Sequence, residues 1–195
     1  ILAQLTNADG QITIPHFYDD VEEVSDYERS LIAQIPFDEE EYKHNLNISQ
    51  VYGEKGYSTI ERTGIRPALD ICGIWGGYTG EGSKTVLPSK AFAKLSARLV
   101  PHQQYEKIAK LVAEHLTAIA PKHIDIKVST LHGAESYVCP IDSDAYKAAE
   151  KAYTKVFGKH VKQFFNKENR DFAISIGLGV REMTNSLVRF GDTDI

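Results

Sequence analysis

An α+β fold, with one antiparallel sheet carrying its helices on a single face, is predicted by three segments of the sequence. Residues 91–99 alternate, with Ala91, Ala93, Leu95, Ala97 and Leu99 on one side and Lys94, Ser96 and Arg98 on the other. That is the period-two pattern of a half-buried strand. Residues 104–119 set Ile108, Leu111, Val112, Leu116 and Ile119 at helical spacing, which defines one apolar helix face. Residues 124–129 alternate again, Ile124, Ile126 and Val128 against Asp125, Lys127 and Ser129. Together with a strand beginning at Arg66, the order is strand, strand, helix, strand. A sheet with one apolar and one polar face carries helices on the first and leaves the second open. The predicted architecture is a two-layer ferredoxin-like sandwich, followed by a partial C-terminal helix-strand segment.

The elements follow in chain order. Ile1-Leu2-Ala3-Gln4-Leu5 is apolar, does not start with Met, and reads as the tail of a helix already under way. The expectation is a segment of a longer protein that catalyses nothing by itself. Asp9-Gly10 signals a turn, and Ile12 and Ile14 flank Thr13 as in a short strand. Two capping boxes, Ser25 with Glu28 and Asp38 with Glu41, predict helices that end before Pro36 and near Leu46. The acidic run from Asp38 to Glu41 is read as first-turn carboxylates favoured by the helix dipole rather than as metal ligands. In the strand from Arg66, Leu69, Ile71 and Gly73 face one way and Ala68, Asp70, Cys72 and Ile74 the other. Pro101 and Pro121 bound the 104–119 helix, and a later helix from Asp144 to Phe157 stops at Gly158. Phe172 to Val180 reads as a strand, after which the chain trails off.

Composition excludes several classes. The net charge is −5 and no basic block is present, so no nucleic-acid partner is expected, because phosphate binding needs a concentrated basic face. No apolar run approaches the roughly 20 residues of a membrane helix, so no membrane partner is expected. Two cysteines, Cys72 and Cys139, are too few for a disulfide framework. They are expected to be reduced and at least partly buried, in a cytoplasmic protein.

Motif by motif, the chemistry is sparse. The loop Gly76-Gly77-Tyr78-Thr79-Gly80-Glu81-Gly82 runs into Ser83-Lys84-Thr85 like a phosphate-binding loop. Ser83, however, stands where such a loop has glycine, and Val86-Leu87-Pro88 cannot open the helix whose N–H groups would meet a phosphate. The histidines (His16, His44, His102, His115, His123, His132 and His160) are scattered, and none pairs at metal-ligand spacing on one helix. No catalytic residue and no metal ligand set is assigned. Arg98, on the polar sheet face, stands out because a guanidinium fixed on a rigid strand suits two-pronged capture of a carboxylate. The competing reading is a solvated surface charge.

Several stretches resemble one family. They are Asp9-Gly10-Gln11-Ile12-Thr13-Ile14-Pro15, Phe17-Tyr18-Asp19-Asp20-Val21, Pro36-Phe37-Asp38-Glu39-Glu40, the long run Gly73 to Pro88, and Ala97-Arg98-Leu99-Val100-Pro101. In order and in detail they resemble the dinuclear zinc dipeptidases related to carnosinase and cytosolic non-specific dipeptidase, within the desuccinylase-like metallopeptidases. The resemblance implies that residues 1–138 are a lid and dimerisation domain, with a helical excursion over 12–62. Residues 139–195 would be a partial return to the catalytic domain with a divergent tail. It implies a homodimer through the lid sheet and short peptides as substrates. Two zinc ions belong to the intact enzyme, and none is expected in this chain. Thr85 corresponds to a lid threonine that contacts substrate in the neighbouring subunit, and Arg98 to the lid arginine that holds the substrate carboxylate. His16 departs from the family, which usually has glycine there. The alternative is a stand-alone, non-catalytic dimerising interaction module.

Overall fold

The computed structural model describes residues 1–33, 35, 37–136, 144–157 and 185–190. After a three-residue 3-10 turn at Leu2–Gln4, the elements are α1 (Asp26–Ile32), α2 (Glu39–Leu46), α3 (Thr59–Gly64), β1 (Ala68–Gly76) and β2 (Ala91–Arg98). Then come α4 (Tyr105–Ile119), β3 (Val128–His132), α5 (Asp144–Phe157) and β4 (Asn185–Phe190). Among the described residues the sheet has four strands in the order β1-β2-β4-β3, and every neighbouring pair is antiparallel. The α+β architecture with an antiparallel sheet is therefore as predicted.

The helix starts follow local chemistry. Asp38 caps α2, its Oδ1 accepting from the backbone N–H of Glu40 at 2.9 Å and of Glu41 at 3.0 Å. Three glutamates then sit in the first turn, where the helix dipole favours negative charge. α3 is an element the periodicity did not reveal, because it is only six residues long. Its signal is a capping box. Ser58 Oγ accepts from Glu61 N at 3.3 Å and Glu61 Oε2 accepts from Ser58 N at 2.6 Å.

The core lies on the predicted face of β2. Leu95, Leu99, Val112 and Leu116 have no accessible surface and Ile108 has 1%, so α4 is seated against β2. Each such side chain contributes about 1.5–3 kcal/mol on burial. The second layer over this face differs from expectation. The opening residues are a single 3-10 turn rather than a helix end, because the Asn7–Gly10 turn reverses the chain at once. Leu5, Ile12, Ile14 and Phe17 fill the space instead, and all four are buried. The strand expected at Ile12 and Ile14 reduces to one bridge, Thr6 to Ile12.

Five further corrections concern the strands. β1 carries a bulge between Ile71 and Gly73, so its alternation changes phase at Cys72. Ile71 stands opposite Leu95 and Ile74 opposite Ala93, which puts both isoleucines on the core side, since opposed residues share a face. Cys72 is exposed rather than partly buried, as the extra residue of a bulge on an outer strand. Ser96, expected on the open face, is buried because β2 is an inner strand flanked on both sides. β3 begins at Val128 instead of Ile124, whose N–H closes a turn onto Pro121 O at 2.9 Å. Asn185–Phe190, expected to trail off, form β4, which pairs with β2 on one side and β3 on the other. The strand expected at Phe172 to Val180, and Cys139, lie outside the described residues.

One buried amide ties the two layers. Gln103 is 1% exposed. Its Oε1 accepts from Val100 N at 3.0 Å and its Nε2 donates to Phe17 O at 2.7 Å. Beside it Lys107 Nζ reaches Asp20 Oδ2 at 2.6 Å. Gln103→Leu would keep the volume and orphan both backbone groups. The expected cost is about 2–6 kcal/mol, at roughly 1–3 per unsatisfied group, measured by urea unfolding. A loss under about 0.5 kcal/mol would remove Gln103 from this role.

Candidate functional site

The site grows out of two turns that dock on each other. Asn7 Oδ1 accepts from the N–H groups of Asp9 and Gln11, each at 3.0 Å, shaping the first turn. Lys55 N then donates to Asp9 O at 2.8 Å. The approach requires glycine at both contact points. Gly10 has φ +74°, and a Cβ there would stand 2.5 Å from Gly53 O. Gly53 has φ +147°, and its Cβ would stand 2.7 Å from Arg62 Cδ. Both conformations lie where L side chains are disfavoured.

This docking sets Glu54 against Arg66. Arg66 Nε donates to Glu54 Oε2 at 2.7 Å and Nη2 to Oε1 at 2.8 Å, a two-pronged pair in which both residues are buried. Aromatic rings line it. Arg66 Cζ lies 4.4 Å from the Tyr57 ring centre and 5.1 Å from that of Tyr18, and Arg29 Cζ lies 5.1 Å from Tyr57. Cation–π contacts of this kind contribute about 0.5–2 kcal/mol each. Burial opposes the Arg66 charge, yet the hydrogen bonds and attraction of Glu54, with Tyr57 and Tyr18 nearby, hold its pKa above the ordinary arginine value. Tyr18 is also raised, chiefly because burial disfavours the phenolate. The hydrogen bond from Ile12 N to its hydroxyl, 3.0 Å long, works the other way.

The pair forms part of the wall of two cavities. One, of about 580 Å³, also has Asn7, Tyr18, Arg29 and Tyr57 in its lining. The other, of about 490 Å³, is bordered by Thr6, Arg62, Thr63, Asp70 and Arg98. Arg98 thus stands at the last position of β2, opposite Ala68, exposed and on a cavity rim. Its guanidinium makes no hydrogen bond or ion pair with any described residue. Thr85 is elsewhere. It lies exposed in the loop between β1 and β2, and it does not border the cavity of Arg98. The structure does not bring Thr85 and Arg98 together within one chain. The glycine loop leads into a strand, so no helix N-terminus faces it. Tyr78 closes it by donating to Glu81 O at 3.0 Å.

Sequence reasoning passed over Glu54, Arg62 and Arg66. Their signal was faint: Arg66 is twelve residues from Glu54, a separation with no periodic signature. No group of three or more His, Cys, Asp or Glu side chains among the described residues is placed to hold a metal ion. No described helix is long and apolar enough to cross a membrane.

Residues 1–124 match the peptidase dimerisation domain. The chain belongs to that family. The human Beta-Ala-His dipeptidase is 30% identical over 161 residues, covering 81% of this chain and 32% of the human protein. A Cys-Gly metallodipeptidase of Candida albicans is 29% identical over 179 residues, covering 90% of this chain and 36% of its own length. The chain therefore spans about a third of the length of the curated relatives it matches. Among solved structures, human carnosine dipeptidase 1 superposes with a TM-score of 0.66 at 30% identity, over 82% of this chain and 35% of that one. An M20 family metallo-carboxypeptidase from Sulfolobus solfataricus gives 0.64 at 26% identity, over 92% and 47%.

Two outcomes are expected for the dimerisation domain. Arg66→Met should destabilise by about 3–5 kcal/mol, the usual cost of stranding one buried charge, whereas Arg66→Met with Glu54→Leu should recover most of that loss in denaturant titrations. The Tyr18 pKa is higher folded than unfolded, so its stabilising effect is complete below the unfolded value, about 10. It is lost as pH rises from there through the folded value. Tyr18→Phe should therefore flatten the decline of stability above pH 10, as followed by alkaline unfolding.

Proposed function

We propose that this chain is the lid and dimerisation unit of a zinc-dependent dipeptidase, supplying substrate-carboxylate binding and not the metal site. The observation that carries the reading is the outer strand β1. It is nine residues long, it ends the sheet among the described residues, and Ile71 and Ile74 on it are 45% and 66% exposed. A long apolar edge of this kind is a template for strand pairing unless something covers it. In this reading a second copy covers it, so the homodimer forms through the lid sheet. The family match and the dipeptidase relatives support the same assignment.

In this reading residues 1–138 form the lid, residues 139–195 begin a return toward a catalytic domain, and β4 lends the lid sheet one strand. Arg98 holds the C-terminal carboxylate of a short peptide, and its lack of a partner among the described residues leaves its donors available. Thr85 serves the neighbouring subunit. Ala91 and Arg98 bound β2, a separation of about 23 Å at 3.3 Å per residue, while a dipeptide spans only about 7 Å. With the threonine loop leaving β2 at one end and the arginine at the other, each residue is suited to a different substrate molecule. In this reading the two zinc ions and their chemistry belong to the rest of the enzyme. With Cys72 an exposed free thiol, a cytoplasmic, reducing setting suits the chain.

Two measurements test this. Sedimentation of the chain at tens of micromolar should show a dimer, and Ile74→Lys on the β1 edge should shift it to monomer; a wild-type monomer contradicts the edge assignment. In the full-length enzyme, Arg98→Ala should raise KM for free dipeptides about ten- to hundred-fold and change far less for C-terminally amidated ones. A full-length product without peptidase activity would favour the stand-alone interaction module.

A further inference from the structure

The cavity of about 490 Å³ beside Arg98 is within the range of small-molecule sites, roughly 300–1,000 Å³. Its ionised groups are unequal in number. Glu54 and Arg66 neutralise one another in the wall, which leaves Arg62 and Arg98 against Asp70. Arg62 is held in place. Its stem crosses Gly53, and its Nε donates to Glu54 O at 2.9 Å. Its terminal Nη groups have no partner among the described residues. A half-buried guanidinium immobilised through its stem, with its outer donors unused, is prepared for an anion without further loss of side-chain freedom. Asp70 is exposed and its carboxylate has no partner among the described residues, so its opposing charge is weakened by solvent.

We infer that this cavity is a specificity pocket for the side chain of the peptide's C-terminal residue, and that Arg62 selects an acidic side chain there. The inference rests on the reading of Arg98 as the anchor of the terminal carboxylate. One carboxylate occupies Arg98, and the second, a side chain away, meets the Nη donors of Arg62. A neutral side chain leaves those donors unpaired, and a basic one is repelled. Asp70 weakens the preference without reversing it.

N-acetylglutamate and N-acetylglutamine, which differ only in the side-chain charge, separate the possibilities when titrated into the full chain at low salt and followed by NMR. N-acetylglutamate should bind about tenfold more tightly, the effect of one charge-assisted pair. Arg62→Gln should abolish the difference while leaving N-acetylglutamine binding unchanged. Asp70→Asn, an isosteric change at an exposed carboxylate, should tighten N-acetylglutamate binding a few-fold, and it decides the matter if Arg62→Gln fails to fold. Arg98→Gln should weaken both ligands equally. If it weakens neither while Arg62→Gln still removes the preference, the carboxylate anchor is refuted and the acidic pocket stands. Equal affinity for the two ligands, a preference that survives Arg62→Gln, or no saturable binding overturns the inference.

Discussion

The buried pair of Glu54 with Arg66 is the contact on which the arrangement of this domain turns. It joins the loop before α3 to the residue that leads into β1, and it sits in the wall of both cavities. Two charges taken out of water cost several kcal/mol each unless the geometry is good and the remaining donors are satisfied. Here the carboxylate is gripped by two nitrogens and the guanidinium lies over Tyr57 and Tyr18. Such a contact is stringent. It forms only if the Gly10 and Gly53 backbones meet, so the turn at residues 7–11 and the loop at 53–55 are positioned together.

The sheet imposes a second constraint. Its apolar face is closed by α4 and by the segment from Leu5 to Phe17, and the buried Gln103 holds that segment to the β2–α4 corner. An antiparallel sheet covered on one side still has two edges and an open face. β3 is a short edge and β1 a long one, with a bulge that turns a second isoleucine to the core side. Charge or proline ordinarily blunts an apolar edge of nine residues, and β1 has Asp70 alone. The proposed dimer puts that edge to use around Ile71 and Ile74, while the cavity beside Arg98 is bordered by the first residues of the same strand, Ala68, Leu69 and Asp70.

The sequence alone determined the layers. Strict alternation over Ala91 to Leu99 and helical spacing over Ile108 to Ile119 each specify which side is buried, because period two and period 3.6 are fixed by backbone geometry. The family was legible from the run Gly73 to Pro88, and Arg98 from its place on a polar strand face. Asp38 as a cap was equally plain, since capping is a contact between residues two or three apart.

Only the tertiary structure decided the rest, and the reason is distance along the chain. The phase change at Cys72 depends on which β2 residue stands opposite, which no local pattern encodes. β4 joins β2 and β3 through pairings across more than fifty residues, and a six-residue strand gives a weak local signal. Glu54 and Arg66, with Arg62 laid over Gly53, meet because two turns dock. Sequence periodicity reports the direction a side chain faces; which remote group it meets there depends on long-range packing.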